Sequence, residues 1–323
     1  MSKKKILVVQ GGTSKEREIS LETGKSCIKA IKKLRYKVIK FDPKFSSIFD
    51  IKNIESDVVF NALHGKSGED GEMQSFFEYF RKPYTHSGVL SSMLAMNKYL
   101  SKKLFVKNNI KTPKFFYISK EEYKNLNFIK KIKKNKVRFP VVIKPNDEGS
   151  SIGVKICKNL KILKKEFAVL NKKYENLIVE TYIPGQEIQV ALMGRKAIGA
   201  IELRPKRKFY DYKAKYKKSS KTEHIMPASL SNKKYKEVLK ISEKVNKILG
   251  CRGITRCDFR FYKGTFFILE LNTQPGMTDL SLVPEIAKFV KIPFVKLVEW
   301  MIKDASLNRW KKTFFYGFFY LFS

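Results

Sequence analysis

One segment of the chain, residues 256–276, constrains the fold strongly because it reads as a β-hairpin with two chemically different faces. The run Tyr262-Lys263-Gly264 predicts a three-residue loop in which glycine takes the left-handed conformation. Directly opposed residues share a face and every second residue returns to it. The predicted polar face carries Arg256, Asp258, Glu270 and Asn272, with Arg256 opposite Glu270. The predicted apolar face carries Cys257, Phe259, Phe261, Phe267, Leu269 and Leu271.

The polar face of this hairpin has the composition of a cation site. Two carboxylates, one amide and one guanidinium on one side suit a hard cation that lies beside a charged substrate. Oxygen ligands of this kind favour Mg²⁺, which usually keeps water and substrate phosphates in its shell. The alternative is a solvent-exposed sheet face with ordinary surface charges, and the hairpin alone does not decide between the two.

The chain is strongly basic, with a formal net charge of +37 over 323 residues. Such a charge would suit nucleic acid or an anionic membrane as a partner. Only 11 of the 67 basic residues are arginine, however, and the basic residues form no single block. Lys, Asn, Ile, Phe and Tyr are all abundant, as in proteins from A/T-rich genomes. We therefore attribute the charge to composition, expect no nucleic-acid partner, and expect the charge to attract nucleotides and other anions.

The cysteines and the apolar segments indicate a reducing cytoplasm. Cys27, Cys157, Cys251 and Cys257 form no CxxC pair, which argues against a disulfide framework or a zinc site. The apolar run near the amino terminus is too short for a signal peptide. No stretch reaches the roughly 20 apolar residues that a membrane-spanning helix needs.

The chain divides into three blocks and a tail. Strands alternate with helices up to residue 97, which is typical of an α/β layer with a parallel sheet whose ligands bind at the carboxyl ends of strands. We predict an N-terminal α/β domain over 1–97, a central domain over 98–183, and a C-terminal domain over 184–308 that contains the hairpin. Residues 309–323 form an aromatic tail, and its composition leaves docking onto the protein, a peripheral membrane contact and a sequence artefact open.

A loop of small residues after an apolar strand is a candidate phosphate site. Lys144 ends the strand, and Ser150 and Ser151 follow within the segment 142–153. Small residues let backbone N–H groups approach phosphate oxygens, and a nearby ammonium group neutralises their charge. The order of residues is not that of a Walker A loop. The alternative is an ordinary hairpin turn.

Three further segments are candidates for substrate contact. Residues 63–71 contain three glycines together with His64 and Glu69, and they read either as a tight functional loop or as a plain helix start. Glu16 follows a Gly-Gly pair after the first strand, where it would bind an ammonium group or favour the helix dipole. The Lys- and Tyr-rich segment 209–216 reads as a lid over an anion or as a solvated loop.

Taken together and in this order, these motifs resemble those of the D-alanine–D-alanine ligases of the ATP-grasp superfamily. The resemblance covers about residues 5–305, and the segments 64–71 and 249–276 match the two signatures of that family. It implies an α/β ATP-grasp fold, with a Rossmann-like N-terminal domain and two α+β domains that sandwich ATP. It also implies a homodimer that joins two D-alanine molecules through an acyl phosphate, in peptidoglycan precursor synthesis.

The resemblance further implies roles for individual residues. The ligands of two Mg²⁺ ions, with Mn²⁺ as an alternative, would be Asp258, Glu270 and Asn272. The catalytic and substrate-binding residues would be Glu16, His64, Ser150, Tyr216, Arg256, Gly276, Ser281 and Leu282. Among them, His64 would lie near the carboxylate of the first D-alanine, and Ser281 and the Leu282 backbone would bind the carboxylate of the second. The nucleotide contacts would be Lys98, Lys144, Ser150, Ser151, Glu180, Thr181, Ile183, Glu187 and Lys215, with Glu180 at the adenine and Glu187 at the ribose. Ser150 and Tyr216 would hydrogen-bond with Glu16 and so hold the lid closed.

The chain departs from the family pattern at a few points. Thr181 stands where the family often has lysine, which bears on the affinity for ATP. Tyr216 stands where relatives that make D-alanyl-D-lactate carry phenylalanine, so it favours the dipeptide product. Two other functions remain as alternatives: an ATP-grasp ligase with another acceptor, and a binding protein for nucleic acid or an anionic membrane. The acidic hairpin face argues against the binding protein because its carboxylates would repel phosphates.

Overall fold

A computed structural model of the chain describes residues 3–205, 222–278 and 281–307. The predicted lid, with Lys215 and Tyr216, and the aromatic tail lie outside the described residues. In the described ranges, no helix is both long enough and apolar enough to cross a membrane. The described strands form three sheets.

The first sheet is parallel, with the strand order β2-β1-β3. Its elements are β1 (Lys5–Val9), α1 (Arg17–Lys33), β2 (Lys37–Phe41), β3 (Val58–Asn61), α2 (Glu72–Tyr79) and α3 (Val89–Met96). The run of apolar residues in β1 and β3 reflects burial on both faces of a parallel sheet. The loops after β1 and β3 lie side by side at its carboxyl edge, where Ser14 Oγ donates to the His64 carbonyl at 2.7 Å.

The second sheet is antiparallel, with the strand order β4-β7-β5-β6. Its elements are α4 (Lys98–Lys107), β4 (Phe115–Ile118), α5 (Phe128–Lys134), β5 (Val141–Pro145), β6 (Lys155–Cys157), α6 (Leu160–Leu170) and β7 (Leu177–Thr181). Helix α6 packs on the sheet because Leu163, Phe167 and Leu170 recur at helical spacing on one buried face.

The third sheet is antiparallel and contains the hairpin, with the strand order β10-β9-β8-β11-β12. Its elements are β8 (Gln186–Met193), β9 (Lys196–Pro205), β10 (Thr222–Ile225), α7 (Asn232–Ile248), β11 (Ile254–Tyr262), β12 (Thr265–Asn272), α8 (Leu282–Phe289) and α9 (Phe294–Asp304). Helix α7 covers one face of the sheet, and helices α8 and α9 cover the other.

The loop of the β11–β12 hairpin is shorter than predicted. Tyr262 pairs with Thr265, so that the loop consists of Lys263 and Gly264, with φ angles of 47° and 71°. Positive φ at both positions is typical of a type I′ turn, whose twist matches that of the two strands. The prediction of a three-residue loop is therefore wrong.

A β-bulge in the hairpin brings the four predicted polar residues onto one face despite the shorter loop. The pairing shifts between Asp258 and Phe259, which leaves Leu269 as an extra residue on β12. Arg256 therefore pairs with Asn272 and Asp258 with Glu270, so the four polar residues share one face, although the predicted pairing of Arg256 with Glu270 is wrong. The apolar face differs as well, because Phe266 and Ile268 are the buried residues there instead of Phe267 and Leu269.

The first and third sheets share one apolar cluster. Residues of β1 and α1, such as Ile6 and Ile31, pack with Leu282 of α8 and with Val298 and Met301 of α9. The first sheet, helix α1, the third sheet and the helices α8 and α9 therefore form one packed unit. A cleft lies between this unit and the second sheet. The domain boundaries after residues 97, 183 and 308 stay predictions.

Candidate active site

A cleft of about 800 Å³, including its open mouth, lies between the second and third sheets. Its walls combine apolar side chains with charges of both signs, and its size is that of a small-molecule site. Residues of the second sheet region that line it include Lys98, Lys144, Ser151, Glu180, Thr181 and Ile183. Residues of the third sheet that line it include Glu187, Asp258, Arg260, Leu269 and Glu270.

Two buried lysines contribute cations to this cleft. Asn97 caps helix α4 by accepting a hydrogen bond from the backbone N–H of Leu100, which makes Lys98 the first residue of the helix. The Lys98 ammonium group donates to the carbonyl of Glu148 at 2.6 Å and lies 3.6 Å from a carboxylate oxygen of Glu270. Lys144, near the end of β5, is as deeply buried as Lys98, at 6% exposure.

Glu180 is held between two lysines. Lys144 Nζ lies 2.6 Å from Oε1 of Glu180, and Lys102 Nζ lies 2.8 Å from Oε2. Burial alone would raise the pKa of Glu180, but the two ammonium groups lower it below its usual value, so the carboxylate is ionised. The expected contact of Glu180 with adenine stays a prediction. Lys102 was missed in the sequence, where its spacing of one helical turn from Lys98 was the available signal.

The cleft also contains an ion pair between two residues of the third sheet. Arg260 lies 3.0 Å from Glu187, the residue expected at the ribose. Arg260 was also missed, although it follows Asp258 by two residues and so shares the polar face. Thr181 Oγ1 accepts a hydrogen bond from the backbone N–H of Arg138 at 3.1 Å.

The proposed cation ligands lie together on the hairpin face. Arg256 donates from Nε and Nη2 to the two oxygens of Asp258, at 2.7 and 2.9 Å. Asn272 Oδ1 accepts from the backbone N–H of Gln274 at 2.7 Å. No group of three or more His, Cys, Asp or Glu side chains with metal-binding geometry occurs among the described residues. The donors are thus two carboxylates and one amide, which suits Mg²⁺ because this ion takes its other ligands from water and phosphate.

A second and more polar cavity adjoins the cleft. Its lining includes Glu16, His64, Glu69, Ser150, Arg256, Asn272 and Gly276. Lys98 and Glu270 line both cavities, so they stand where the two cavities meet. This shared boundary brings a nucleotide-sized cleft next to a small polar pocket.

Glu16 lines the polar cavity at the start of helix α1, and only 5% of it is exposed. Ser150 donates a hydrogen bond to Oε1 of Glu16, which is the contact that the family resemblance implies. A Cβ atom would stand 2.6 Å from the Glu16 carboxylate at Gly65 and 3.0 Å from it at Gly149. Glycine at these two positions therefore lets both loops close on Glu16.

His64 is held by the protein through both ring nitrogens. Nδ1 lies 2.9 Å from Oε1 of Glu69, and Nε2 lies 3.0 Å from Oγ1 of Thr23. His64 is 4% exposed and forms part of the cavity wall. The expected approach of His64 to a substrate carboxylate stays a prediction.

Ser281 and Leu282 do not line either cavity among the described residues. Ser281 Oγ accepts from the backbone N–H of Thr278 at 3.0 Å, and it lies close to Gly276. The Leu282 side chain packs in the core at the start of α8. Their expected contact with a second substrate stays a prediction.

A buried amide pair joins the loops on either side of the polar cavity. Gln274 donates from Nε2 to the carbonyl of Leu63, and its Oε1 accepts from Nδ2 of Asn61 at 3.0 Å. Asn61 and Gln274 are 0% and 1% exposed and stand 213 residues apart in the chain. The pair therefore fixes the loop of His64 against the loop that carries Asn272.

We expect Gln274→Leu to lower the free energy of unfolding by about 2–4 kcal/mol, because the buried Leu63 carbonyl loses its donor and Asn61 loses its acceptor. Denaturant titration of Gln274→Leu, Asn61→Leu and the double variant provides the test. The double variant should lose less than the sum of the two single losses, since it removes both partners of one hydrogen bond. Additive losses would show that the two amides act independently.

The arrangement of the second and third sheets around the cleft places the protein in the ATP-grasp class of folds, as predicted. The crystal structure of a D-alanine–D-alanine ligase from Bacillus anthracis superimposes with a TM-score of 0.84 and 33% identity, over 93% of this chain and 97% of that one. The structure of a D-alanine–D-alanine ligase from Bacillus anthracis complexed with ATP gives a TM-score of 0.81 and 30% identity, over 93% of this chain and 97% of that one.

Sequence comparison identifies the family. Residues 104–303 match the model of the D-ala D-ala ligase C-terminus, and residues 41–87 match that of the D-ala D-ala ligase N-terminus. The chain is 53% identical to a D-alanine–D-alanine ligase of Pelagibacter ubique over 306 residues, which is 95% of this chain and 99% of that protein. The chain therefore belongs to the D-alanine–D-alanine ligase family, which confirms the resemblance seen in its sequence.

Proposed function

We propose that the chain joins two D-alanine molecules at the expense of ATP and releases ADP and phosphate, for use in peptidoglycan precursor synthesis. The observation that carries this proposal is the shared boundary of the two cavities at Lys98 and Glu270. A nucleotide in the cleft would direct its terminal phosphate towards this boundary. A carboxylate in the polar cavity would reach the same point from the other side.

In the first step, a carboxylate oxygen of the first D-alanine attacks the terminal phosphorus, and the bond to ADP breaks. Lys98 and Lys144 neutralise phosphate charge, as phosphoryl transfer requires. Glu16 binds the substrate ammonium group, and its low exposure strengthens that ion pair. Ser150 orients the Glu16 carboxylate through its hydrogen bond. His64 forms the wall near the carboxylate of the first D-alanine.

Asp258, Glu270 and Asn272 would hold two Mg²⁺ ions, with Mn²⁺ as an alternative. The donor set supports this because each carboxylate oxygen has two lone pairs, so Asp258 can accept from Arg256 and still bind a cation. Bound Mg²⁺ supplies charge stabilisation to the phosphates during transfer. The limited number of protein ligands leaves positions for phosphate oxygens.

In the second step, the amine of the second D-alanine attacks the acyl carbon and loses a proton. The acyl–oxygen bond then breaks, and phosphate leaves with that oxygen. Arg256 and the backbone N–H of Gly276 stabilise the oxyanion of the tetrahedral intermediate. Ser281 and the backbone of Leu282 bind the carboxylate of the second D-alanine.

The remaining roles concern the nucleotide, the lid and the assembly. Ser151, Glu180, Thr181 and Ile183 contact the nucleotide, with Glu187 at the ribose. Lys215 and Tyr216, which lie outside the described residues, would have the lid roles that the family resemblance implies, and we infer a homodimer from the family.

We expect phosphate release from ATP that depends on both Mg²⁺ and D-alanine, with D-alanyl-D-alanine as the product. A coupled phosphate assay and mass spectrometry of the product measure this, with L-alanine, D-serine and D-lactate as control substrates. EDTA should abolish turnover, and excess Mg²⁺ should restore it. ATP turnover without the dipeptide would assign the chain to another acceptor.

A further inference from the structure

Lys102 is completely buried, at 0% exposure, although it is not among the residues that line either cavity. It lies one helical turn after Lys98 on α4. Its ammonium group lies 2.8 Å from Oε2 of Glu180 and donates to Oγ1 of Thr112 at 2.7 Å. Thr112 in turn donates to the carbonyl of Ile268 on β12, at 2.7 Å. Lys102 is therefore anchored between the two sheets that enclose the cleft.

The charges around Glu180 do not balance. Lys102 and Lys144 contribute two positive charges, and Glu180 contributes one negative charge. Without Lys102, the pair of Lys144 and Glu180 would be neutral. With Lys102, the carboxylate of Glu180 divides its two oxygens between two ammonium groups, and one positive charge remains in excess. Of the two lysines, Lys144 is the one that lines the cleft.

We propose that Lys102 is a positioning residue for the nucleotide: by occupying one oxygen of Glu180, it leaves Lys144 with an excess of positive charge toward the nucleotide phosphates. This inference rests on the proposed function, since it takes ATP to lie in the cleft beside Lys144. Burial is what makes the effect substantial, because a charge in the protein interior is screened less than one at the surface.

The ammonium group of Lys102 is charged near neutral pH. Burial lowers the pKa of Lys102 to about 8, against the opposing effect of Glu180. Nucleotide binding is therefore to be compared at pH 7, by titration calorimetry of the full chain with Mg²⁺ and without D-alanine.

The test compares the dissociation constants for ATP and ADP with that for adenosine, which lacks phosphates. In Lys102→Gln, an uncharged side chain that can still donate a hydrogen bond replaces the lysine. We expect its dissociation constant for ATP to rise about tenfold and that for adenosine to stay within about twofold of the unmodified chain. Lys103→Gln removes an exposed charge from the next position of α4 and should leave both constants nearly unchanged. An equal loss for ATP and adenosine in Lys102→Gln would overturn the inference, because it would indicate damage to the pocket.

A second variant keeps the charge. Lys102→Arg retains a positive charge at the same position. We expect its preference for ATP over adenosine to stay within about threefold of the unmodified chain, whereas Lys102→Gln should lose that preference. If Lys102→Gln does not fold, as judged by circular dichroism, Lys102→Met takes its place, and a preference for ATP in that variant within about threefold of the unmodified chain would overturn the inference.

The dipeptide assay with the unmodified chain separates this inference from the proposed function. ATP binding with the expected charge dependence but without dipeptide would contradict the ligase and support the role of Lys102. Dipeptide synthesis without a selective loss of ATP affinity in Lys102→Gln would support the ligase and overturn the role of Lys102.

Discussion

Glu270→Gln should lower the rate of D-alanine-dependent phosphate release by at least about 1,000-fold, because the change removes the negative charge at the boundary of the two cavities. Glu270 lies 3.6 Å from Lys98, and its carboxylate is a proposed Mg²⁺ ligand. Charge stabilisation by a bound cation contributes several kcal/mol to phosphoryl transfer, and each 1.36 kcal/mol is tenfold in rate. Steady-state kinetics at saturating ATP and D-alanine measure the loss.

The dependence on Mg²⁺ identifies the cause of that loss. If Glu270 holds the cation, the Mg²⁺ concentration for half-maximal activity should rise in Glu270→Gln. Glu223→Gln, at an exposed position of β10, is the matched control and should retain full activity. If the rate of Glu270→Gln is within tenfold of that of the unmodified chain, Glu270 is not a metal ligand.

Glu16→Gln is expected to lower kcat/KM for D-alanine by about 100- to 5,000-fold. The amide cannot neutralise the substrate ammonium group, and the loss of one partner of a buried ion pair costs about 3–5 kcal/mol. Ser150 can still donate to the amide oxygen, so the loop that carries it keeps one contact. Steady-state kinetics over a series of D-alanine concentrations provide the measurement, together with a separate titration of ATP.

The neighbouring Glu18 offers a close control for this prediction. It lies two residues further along α1 and is exposed, so Glu18→Gln removes the same charge from the same helix start. Its kcat/KM should stay within about twofold, since exposed charges contribute little. The affinity for ATP should change in neither variant. Equal losses of kcat/KM in the two variants would instead indicate that the charge acts through the helix dipole.

The hairpin shows which structural features a local sequence pattern can predict. Arg256 and Asp258 share a face because side chains alternate along any strand, and this much is independent of the partner strand. Their partners depend on the turn and on the bulge at Leu269, which together shift the pairing. The predicted face was therefore right, while the predicted pairing and two core residues were wrong.

The ion pairs of the cleft, in contrast, cannot be predicted from local sequence patterns. The family resemblance predicts Lys98, Lys144 and Glu180 at the nucleotide site, but it does not predict the ion pairs that join them. The ion pairs to Lys102 and Arg260 emerge only when α4, β5, β7 and the third sheet come together. The lid residues Lys215 and Tyr216 lie outside the described residues, so their roles stay predictions.

The sequence by itself determined the α/β class, the polar face of the hairpin and the family of the protein. These features follow from alternation, from apolar runs and from motifs that are contiguous in the chain. Only the tertiary structure decided that Glu180 is shared by two lysines, that Gln274 is paired with Asn61, and that Lys98 and Glu270 separate the two cavities. Contacts between distant segments depend on how sheets and helices pack around a common cleft, and no local pattern encodes that packing.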